Sequence, residues 1–472
     1  MTAVSARALA RLLDDWRAAS PAYIALADRV RLLVIDGRLP VAARLPAERE
    51  LADVLRLSRS TVAAAYARLR EAGYLTSLRG SGSVVRLPGR ASEALEALGG
   101  GYLDFSKATL PAAAEVGAAM RRAAEELPAH LGGPGFDPVG LPRLRAALAE
   151  RYTRRGLPTD ADQLMITMGA QSAIALVART LLGRGERVLV EAPSYPHAID
   201  ALRDAGARLA TVPVAPGTGW DETALEQVLR GTSPALGYLM PDFHNPTGAS
   251  MDERLRERIL ALAARTGTVL VADETMAELG IDAPSRPPFA AFDAAGLAIT
   301  IGSVSKTLWG GIRVGWVRAE RGVIQRLVRA RAAGDLGTPV LEQLAVAELL
   351  EGYDEILAAR RRLLAAGRAH LETRLARAFP EWTVPHIDGG LTTWVGLGAP
   401  VSSQLVLAAR SHGLLLAAGP RFGVDGAFER FLRLPIGYPA QQTDAAIEAL
   451  RAAWASLVPG GFADPAFLAD VV

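Results

Sequence analysis

At 472 residues, half of them apolar, the chain exceeds what one hydrophobic core normally holds, so two or three domains are expected. No apolar run reaches the length of a membrane span, and the N-terminus, with Arg7, Arg11, Asp14, Asp15 and Arg17, lacks a signal-like apolar core; a soluble, cytoplasmic protein is expected. The absence of cysteine excludes disulfides and thiolate metal sites, and the six histidines show no ligand-like spacing, so no metal site is expected.

Net charge is only +2, but residues 1–90 carry fifteen arginines against eight acidic residues, which puts +7 on that stretch and −5 on the remaining 382. A basic N-terminal module on a mildly acidic body points to a polyanion partner for the module. The organisation expected is a module over 20–88, a linker over 89–101 and a body over 102–472.

The module reads as three short helices and a hairpin. Tyr23 to Asp36 has helical apolar spacing (Ile24, Leu26, Ala27, Val30, Leu33, Val34) and stops at Gly37. Pro46 and Ala47 open a second helix through Leu55, and Ser58 is an apt N-cap for a third from Arg59 to Ala72, ended by Gly73. The turn Arg56-Leu57-Ser58 makes these two a helix-turn-helix. Tyr74–Ser77 and Ser83–Arg86 then flank Leu78-Arg79-Gly80-Ser81-Gly82, a hairpin with a glycine-bearing tip.

The runs Arg44-Leu45-Pro46-Ala47-Glu48-Arg49-Glu50-Leu51-Ala52, Leu57-Ser58-Arg59-Ser60-Thr61-Val62, Gly73-Tyr74-Leu75 and Arg79-Gly80-Ser81-Gly82 resemble the GntR family of winged-helix regulators over most of residues 21–87. The resemblance implies double-stranded operator DNA as partner, and the residues suit it. Ser58, Arg59, Ser60 and Thr61 open a helix that can enter a major groove, with Arg59 forked onto a guanine edge and the hydroxyls and Arg49 fixing the backbone. Arg79 at the wing tip suits a minor groove or phosphates, and Gly80 permits close approach.

From about Leu87 to Tyr102, with Gly99-Gly100-Gly101, the chain reads as a linker with a short helical middle. Beyond it, strand-like runs at 164–167, 187–191, 208–214, 235–240, 268–273, 298–303 and 313–319 alternate with helical segments such as 171–182 and 252–265. That rhythm predicts an α/β body with a mostly parallel sheet covered on both faces. A long helical stretch from Pro339 to Phe379 and mixed elements after it predict a smaller C-terminal lobe.

Lysine is the rarest clue in the body: the chain has fifty arginines and two lysines, Lys107 and Lys306. An arginine-rich background leaves lysine where an amine that can lose its proton is needed, since arginine cannot form a Schiff base. Lys306 follows the apolar run 297–301 inside Ser303-Val304-Ser305-Lys306-Thr307-Leu308-Trp309-Gly310-Gly311-Ile312-Arg313. Hydroxyls, an amine and an arginine at a strand end suit a phosphate-bearing aldehyde cofactor. Four more strand ends supply the rest of such a pocket. Thr167-Met168-Gly169-Ala170-Gln171 joins a strand to a helix, so the Ala170 and Gln171 N–H groups can hold a phosphate. Tyr195 in Ala192-Pro193-Ser194-Tyr195-Pro196 can stack on a pyridine ring. Asn245-Pro246-Thr247-Gly248 offers an amide to the ring hydroxyl, and Asp273 can pair with the protonated ring nitrogen.

Each segment alone has an ordinary packing explanation, but the five in this order resemble the fold-type-I aminotransferases, over about Tyr102 to Leu457. The resemblance implies pyridoxal 5'-phosphate as cofactor, with Lys306 as the internal aldimine, Asp273 on the ring nitrogen, Tyr195 stacked and Asn245 at the ring hydroxyl. It places Ala170, Gln171, Ser303, Ser305 and Arg313 on the phosphate, and Arg433, in Phe431-Leu432-Arg433-Leu434-Pro435, on a substrate α-carboxylate. Two positions depart from the family. Thr275 and Met276 stand where a tyrosine usually contacts the ring oxygen, and Gly135-Phe136-Asp137-Pro138 replaces a tyrosine-glycine-aspartate-proline motif. Lys107 lies where the family's N-terminal segment can line the pocket, although a solvated lysine is the simpler reading.

A GntR-like winged helix ahead of an aminotransferase-like domain resembles the MocR-type subfamily of bacterial regulators. That implies a homodimer, two winged helices for two half-sites, and a body that senses pyridoxal phosphate or an amine or amino acid. The alternative is an aminotransferase acting on an amino acid, and a third reading is a dimeriser without cofactor.

Overall fold

A computed structural model of the chain describes residues 4–13, 16, 21–35, 38–39, 43–78, 82–86, 102–282, 286–424 and 426–457. Arg79 and Gly80 at the wing tip, and the linker with its expected helical middle, lie outside the described residues.

Four helices and a hairpin make the module: α1 (Ala6–Leu13), α2 (Ala22–Ile35), α3 (Glu48–Leu55), α4 (Arg59–Glu71), and strands β1 (Leu75–Leu78) and β2 (Gly82–Val85) paired antiparallel. Arg56 in the left-handed conformation closes α3, and the Ser58 hydroxyl accepts from the Thr61 N–H to open α4, so the turn between them is fixed by one cap at each side. Leu26, Val30, Leu51, Val62, Leu69 and Val85 are buried together as its core. Sequence periodicity does not disclose α1, a short helix that contributes buried Leu9 and Leu13 to this core.

The body begins at β3 (Leu103–Asp104) and continues through α5 (Val116–Glu126), α6 (Pro142–Arg154), β4 (Leu164–Thr167), α7 (Ala170–Leu181), β5 (Arg187–Ala192), α8 (Pro196–Asp204), β6 (Arg208–Ala215), β7 (Gly219–Trp220), α9 (Glu222–Thr232), β8 (Leu236–Leu239), α10 (Glu253–Thr266), β9 (Val269–Asp273), β10 (Ala298–Ser303), β11 (Gly315–Arg318) and α11 (Arg321–Arg331). Eight strands form one sheet in the order β4-β11-β10-β9-β8-β5-β6-β7. Its central strands are parallel, whereas β11 runs antiparallel to both neighbours and β7 antiparallel to β6. Separate apolar clusters cover the two faces, one around Leu189, Leu270 and Trp316, the other around Val190, Val271 and Ile301. β5 and β8–β10 read as continuous buried runs for this reason.

The long helical stretch is two helices, α12 (Val340–Leu349) and α13 (Tyr353–Ala378). The smaller lobe adds β12 (Thr392–Gly396), α14 (Ser402–Ser411), β13 (Leu414–Leu415), β14 (Ala417–Ala418), β15 (Phe431–Pro435) and α15 (Ala440–Leu457), with a three-stranded antiparallel sheet β12-β15-β14. β3 pairs with β13, so the first residues after the linker are stitched into this lobe. No helix among the described residues is long and apolar enough to cross a membrane.

Candidate functional site

The carboxyl ends of β4, β5, β8, β9 and β10 converge on one cavity of about 340 Å³, lined by Lys107, Ala170, Gln171, Tyr195, His197, Asn245, Asp273, Thr275, Met276, Ser305, Lys306, Arg313 and Arg433 among others. Open α/β sheets place ligands at this edge.

One end is built for an anion. Gly169 caps α7 at φ +80°, a conformation that glycine adopts without strain, and the first two residues of the helix, Ala170 and Gln171, line the cavity. Gly315 lies against this turn so closely that a Cβ there would meet the Gly169 carbonyl carbon at 2.6 Å. Arg313 crosses the same place, donating to the Gly310 carbonyl at 3.1 Å. Ser305 lines the cavity, but Ser303 does not: its hydroxyl donates to Ser305 Oγ and Val314 O, both at 3.1 Å. Ser303 therefore orients Ser305 from behind.

The middle of the cavity presents a buried carboxylate. Asp273 ends β9, buried, and accepts from the Tyr238 hydroxyl at 2.6 Å and the Thr275 N–H at 3.0 Å. Burial pushes its carboxyl pKa up, while the bonds from Tyr238 and Thr275 oppose that rise. Tyr195 stands on the N-terminal side of α8, its hydroxyl 3.0 Å from His197 Nδ1. Asn245 Oδ1 is buried with no hydrogen-bond partner among the described residues, an acceptor left for a ligand. Thr275 and Met276, just after Asp273, also line the cavity.

The third part holds the amine. Lys306 Nζ donates to the Ala108 carbonyl at 2.7 Å, and Arg433 on β15 donates to the Ser106 carbonyl. Burial, and then the nearby Arg433 guanidinium, bring the lysine from 10.5 down to about 8, although Asp273 pulls the other way. Burial likewise lowers Arg433 to about 10; its Nε is buried without a partner among the described residues. The donor set, the unsatisfied Asn245 and Arg433 atoms and the glycine-lined turn fit a phosphate-bearing aromatic aldehyde together with a carboxylate. Sequence reasoning missed Tyr238 and His197. Tyr238 precedes Asp273 by 35 positions and meets it only through the β8–β9 register, whereas His197, two residues after Tyr195, was within reach of the motif.

On the module, Arg49, Ser58, Arg59 and Ser60 are exposed and Thr61 is half-buried. The Ser58 hydroxyl is engaged in its cap and lies 2.8 Å from Ser60 Oγ and 2.7 Å from Thr61 Oγ1, so among these residues the exposed Arg49 and Arg59 carry the long donors. Tyr66 donates to the Pro46 carbonyl at 3.1 Å and locks α4 against the start of α3.

Residues 98–450 match the family described as aminotransferase class I and II, and residues 22–85 match the gntR family of bacterial regulatory proteins. YdfD, an HTH-type transcriptional regulator of Bacillus subtilis, is 28% identical over 461 residues, covering 89% of this chain and 93% of its own. The 2-aminoadipate transaminase of Thermus thermophilus is 36% identical over 305 residues, covering 62% of this chain and 74% of its own. Among solved structures, LysN, the α-aminoadipate aminotransferase of Thermus thermophilus complexed with N-(5'-phosphopyridoxyl)-L-leucine, superposes with a TM-score of 0.69 at 31% identity over 77% of this chain and 94% of that one.

Proposed function

The chain belongs to the aminotransferase class I and II family and carries a gntR-family module ahead of that domain, and from this premise we propose that it is a MocR-type, DNA-binding transcriptional regulator whose body binds pyridoxal 5'-phosphate and senses the cofactor or an amino compound. The observation that carries the reading is the coexistence, in one chain, of an exposed arginine at the start of a capped second helix-turn-helix helix and a cavity with a half-buried amine whose pKa is lowered.

When bound, the cofactor supplies an aldehyde that condenses with amines and a ring that accepts electron density. Lys306 would hold it through its amine, Asp273 would keep the ring nitrogen protonated, Tyr195 would stack, and Asn245 would meet the ring hydroxyl with its amide, whose Oδ1 is free to accept. Ala170, Gln171, Ser305 and Arg313 would take the phosphate, with Ser303 behind them, and Arg433 would clamp the carboxylate of an amino acid. Arg49, Ser58, Ser60 and Thr61 would position the DNA backbone while Arg59 reads a base edge; Arg79 and Gly80 would serve at the wing. A homodimer in the cytoplasm would set two modules on two half-sites.

An aminotransferase is the second reading, favoured by the convergence of Lys306, Asp273, Asn245 and Arg433 on one cavity. Thr275 and Met276 in place of a ring-oxygen contact weigh against it. Gel-shift titration on the intergenic DNA beside the protein's own gene separates the two. A regulator binds it against excess competitor DNA, and Arg59→Ala loses on the order of 1–3 kcal/mol of that specific affinity. Absence of specific binding, together with amino transfer to a keto acid at ordinary enzymatic rates, would leave the enzyme reading instead.

A further inference from the structure

Of 52 basic side chains in the chain two are lysine, and both line the same cavity. Lys306 has an amine's task there. Lys107 stands between Ser106, whose carbonyl accepts from Arg433, and Ala108, whose carbonyl accepts from Lys306 at 2.7 Å. It is therefore one residue away from both groups that address an amino acid, in the ligand half of the cavity rather than at the Ala170–Arg313 end.

The cavity's charges can be matched one by one. Asp242 is already tied to Arg256 at 2.5 Å. On the reading given above, on which this inference rests, Arg313 meets the phosphate, Lys306 the aldehyde, Asp273 the ring nitrogen and Arg433 the α-carboxylate. Among lysine, arginine and carboxylate groups lining the cavity, Lys107 is the one left for the ligand's own side chain. Its present partner, Asp104 at 2.9 Å, is not part of the cavity wall and also accepts from Ser106 N and Oγ. With 62% of the lysine side chain exposed, this is a solvent-screened surface pair, so exchanging it for a ligand carboxylate costs little. A compact ammonium on a flexible stem suits a small cavity already holding the Arg433 fork better than a second guanidinium would.

We infer that Lys107 recognises a second, distal carboxylate, so that the compounds sensed are acidic α-amino acids. The test uses full-length protein loaded with pyridoxal phosphate and follows the visible absorption of the bound cofactor during titration with L-glutamate against L-glutamine, and L-aspartate against L-asparagine. The members of each pair match in shape and differ in distal charge. At least one acid is expected to bind roughly tenfold or more tighter than its amide, a difference of about 1.4 kcal/mol. Lys107→Met should bring that acid to within about twofold of the amide, and Lys107→Glu should reverse the order, an effect of charge sign that a packing role would not produce. Equal binding of acid and amide by the wild-type protein, or a preference that survives Lys107→Met, would overturn the assignment. If the cofactor band forms but no amino acid perturbs it, amino-acid sensing itself is refuted, and this inference with it.

Discussion

Lys306 combines a lysine in a chain that otherwise uses arginine with an environment that frees its amine. Because the unprotonated amine is the nucleophile toward an aldehyde, and because the pKa is lowered from 10.5 to about 8, the rate of cofactor capture should rise with pH through 8 and level off above about 9. A lysine at its ordinary value would keep gaining rate past about pH 10. Stopped-flow absorbance of apoprotein with cofactor checks this, and Lys306→Ala should give no lysine-bound absorption band at any pH. A second prediction concerns Tyr238, whose hydroxyl holds Asp273. Removing a hydrogen bond to a charged acceptor costs roughly 1.5–3 kcal/mol, so Tyr238→Phe should weaken cofactor affinity at least tenfold with the fold retained. Unchanged affinity in equilibrium dialysis would show that the Thr275 N–H alone suffices. Asp273 and Lys306 could be singled out because one ends an apolar strand and the other follows one by three residues. Tyr238 was not: it sits beside Val271 across the β8–β9 pair, diagonal to Asp273, and such a neighbour depends on register that no single strand's sequence states. Ser303 illustrates the converse, since a hydroxyl at a strand end can turn backward to a carbonyl as readily as forward to a ligand.

At the scale of elements, the phosphate end depends on two backbones approaching each other. The Gly169 turn and Gly315 at the start of β11 leave no room for a side chain: a Cβ at 315 would lie 2.6–2.9 Å from Gly169 C, Gly169 Cα and Ala170 N. Gly315→Ala should push the α7 N-terminus away from Arg313 and cost cofactor affinity far more than it costs secondary structure, which dialysis and circular dichroism on the same sample would separate. Full retention of affinity would mean that the turn tolerates the shift. Most strands were readable to within a residue or two because the central sheet buries both faces and its strands are uniformly apolar. The direction of β11 was hidden, since an apolar run carries no sign of whether its neighbours run with it or against it. α12 and α13 appeared as one stretch because the break at Leu350–Gly352 interrupts the helix without interrupting its helical pattern of apolar residues. α1 escaped because eight residues span too few turns for periodicity to stand out.

At the scale of the whole molecule, the module touches the body through an ion pair. Arg29 of α2, which also donates to the Leu13 carbonyl, bonds to Glu429, and Glu429 in turn accepts from Ser403 N and Oγ at 2.9 and 2.8 Å. Glu429 lies four residues before Arg433, so this contact and the cavity-lining arginine belong to one stretch of the small lobe. Arg11 and Arg38 of the module and Asp200, Arg203 and Arg421 of the body line one cavity of about 690 Å³, and α8 contributes residues both to it and to the cofactor cavity. Since both partners of the ion pair are largely buried, Glu429→Gln leaves a buried guanidinium without its counter-charge. Calorimetry should then show the module melting as its own transition below that of the body; a single transition at the wild-type temperature would show that the contact couples nothing.

Filling the cofactor cavity is expected to change how the module holds DNA. Fluorescence anisotropy of the full-length protein on its operator, with and without pyridoxal phosphate, for wild type and Lys306→Ala, tests it most directly. The cofactor is expected to shift wild-type operator affinity by about fivefold or more, the lower range of allosteric coupling, while Lys306→Ala binds the operator without responding. Identical wild-type affinities in the two conditions, at a cofactor concentration that saturates the Lys306 absorption band, would contradict it.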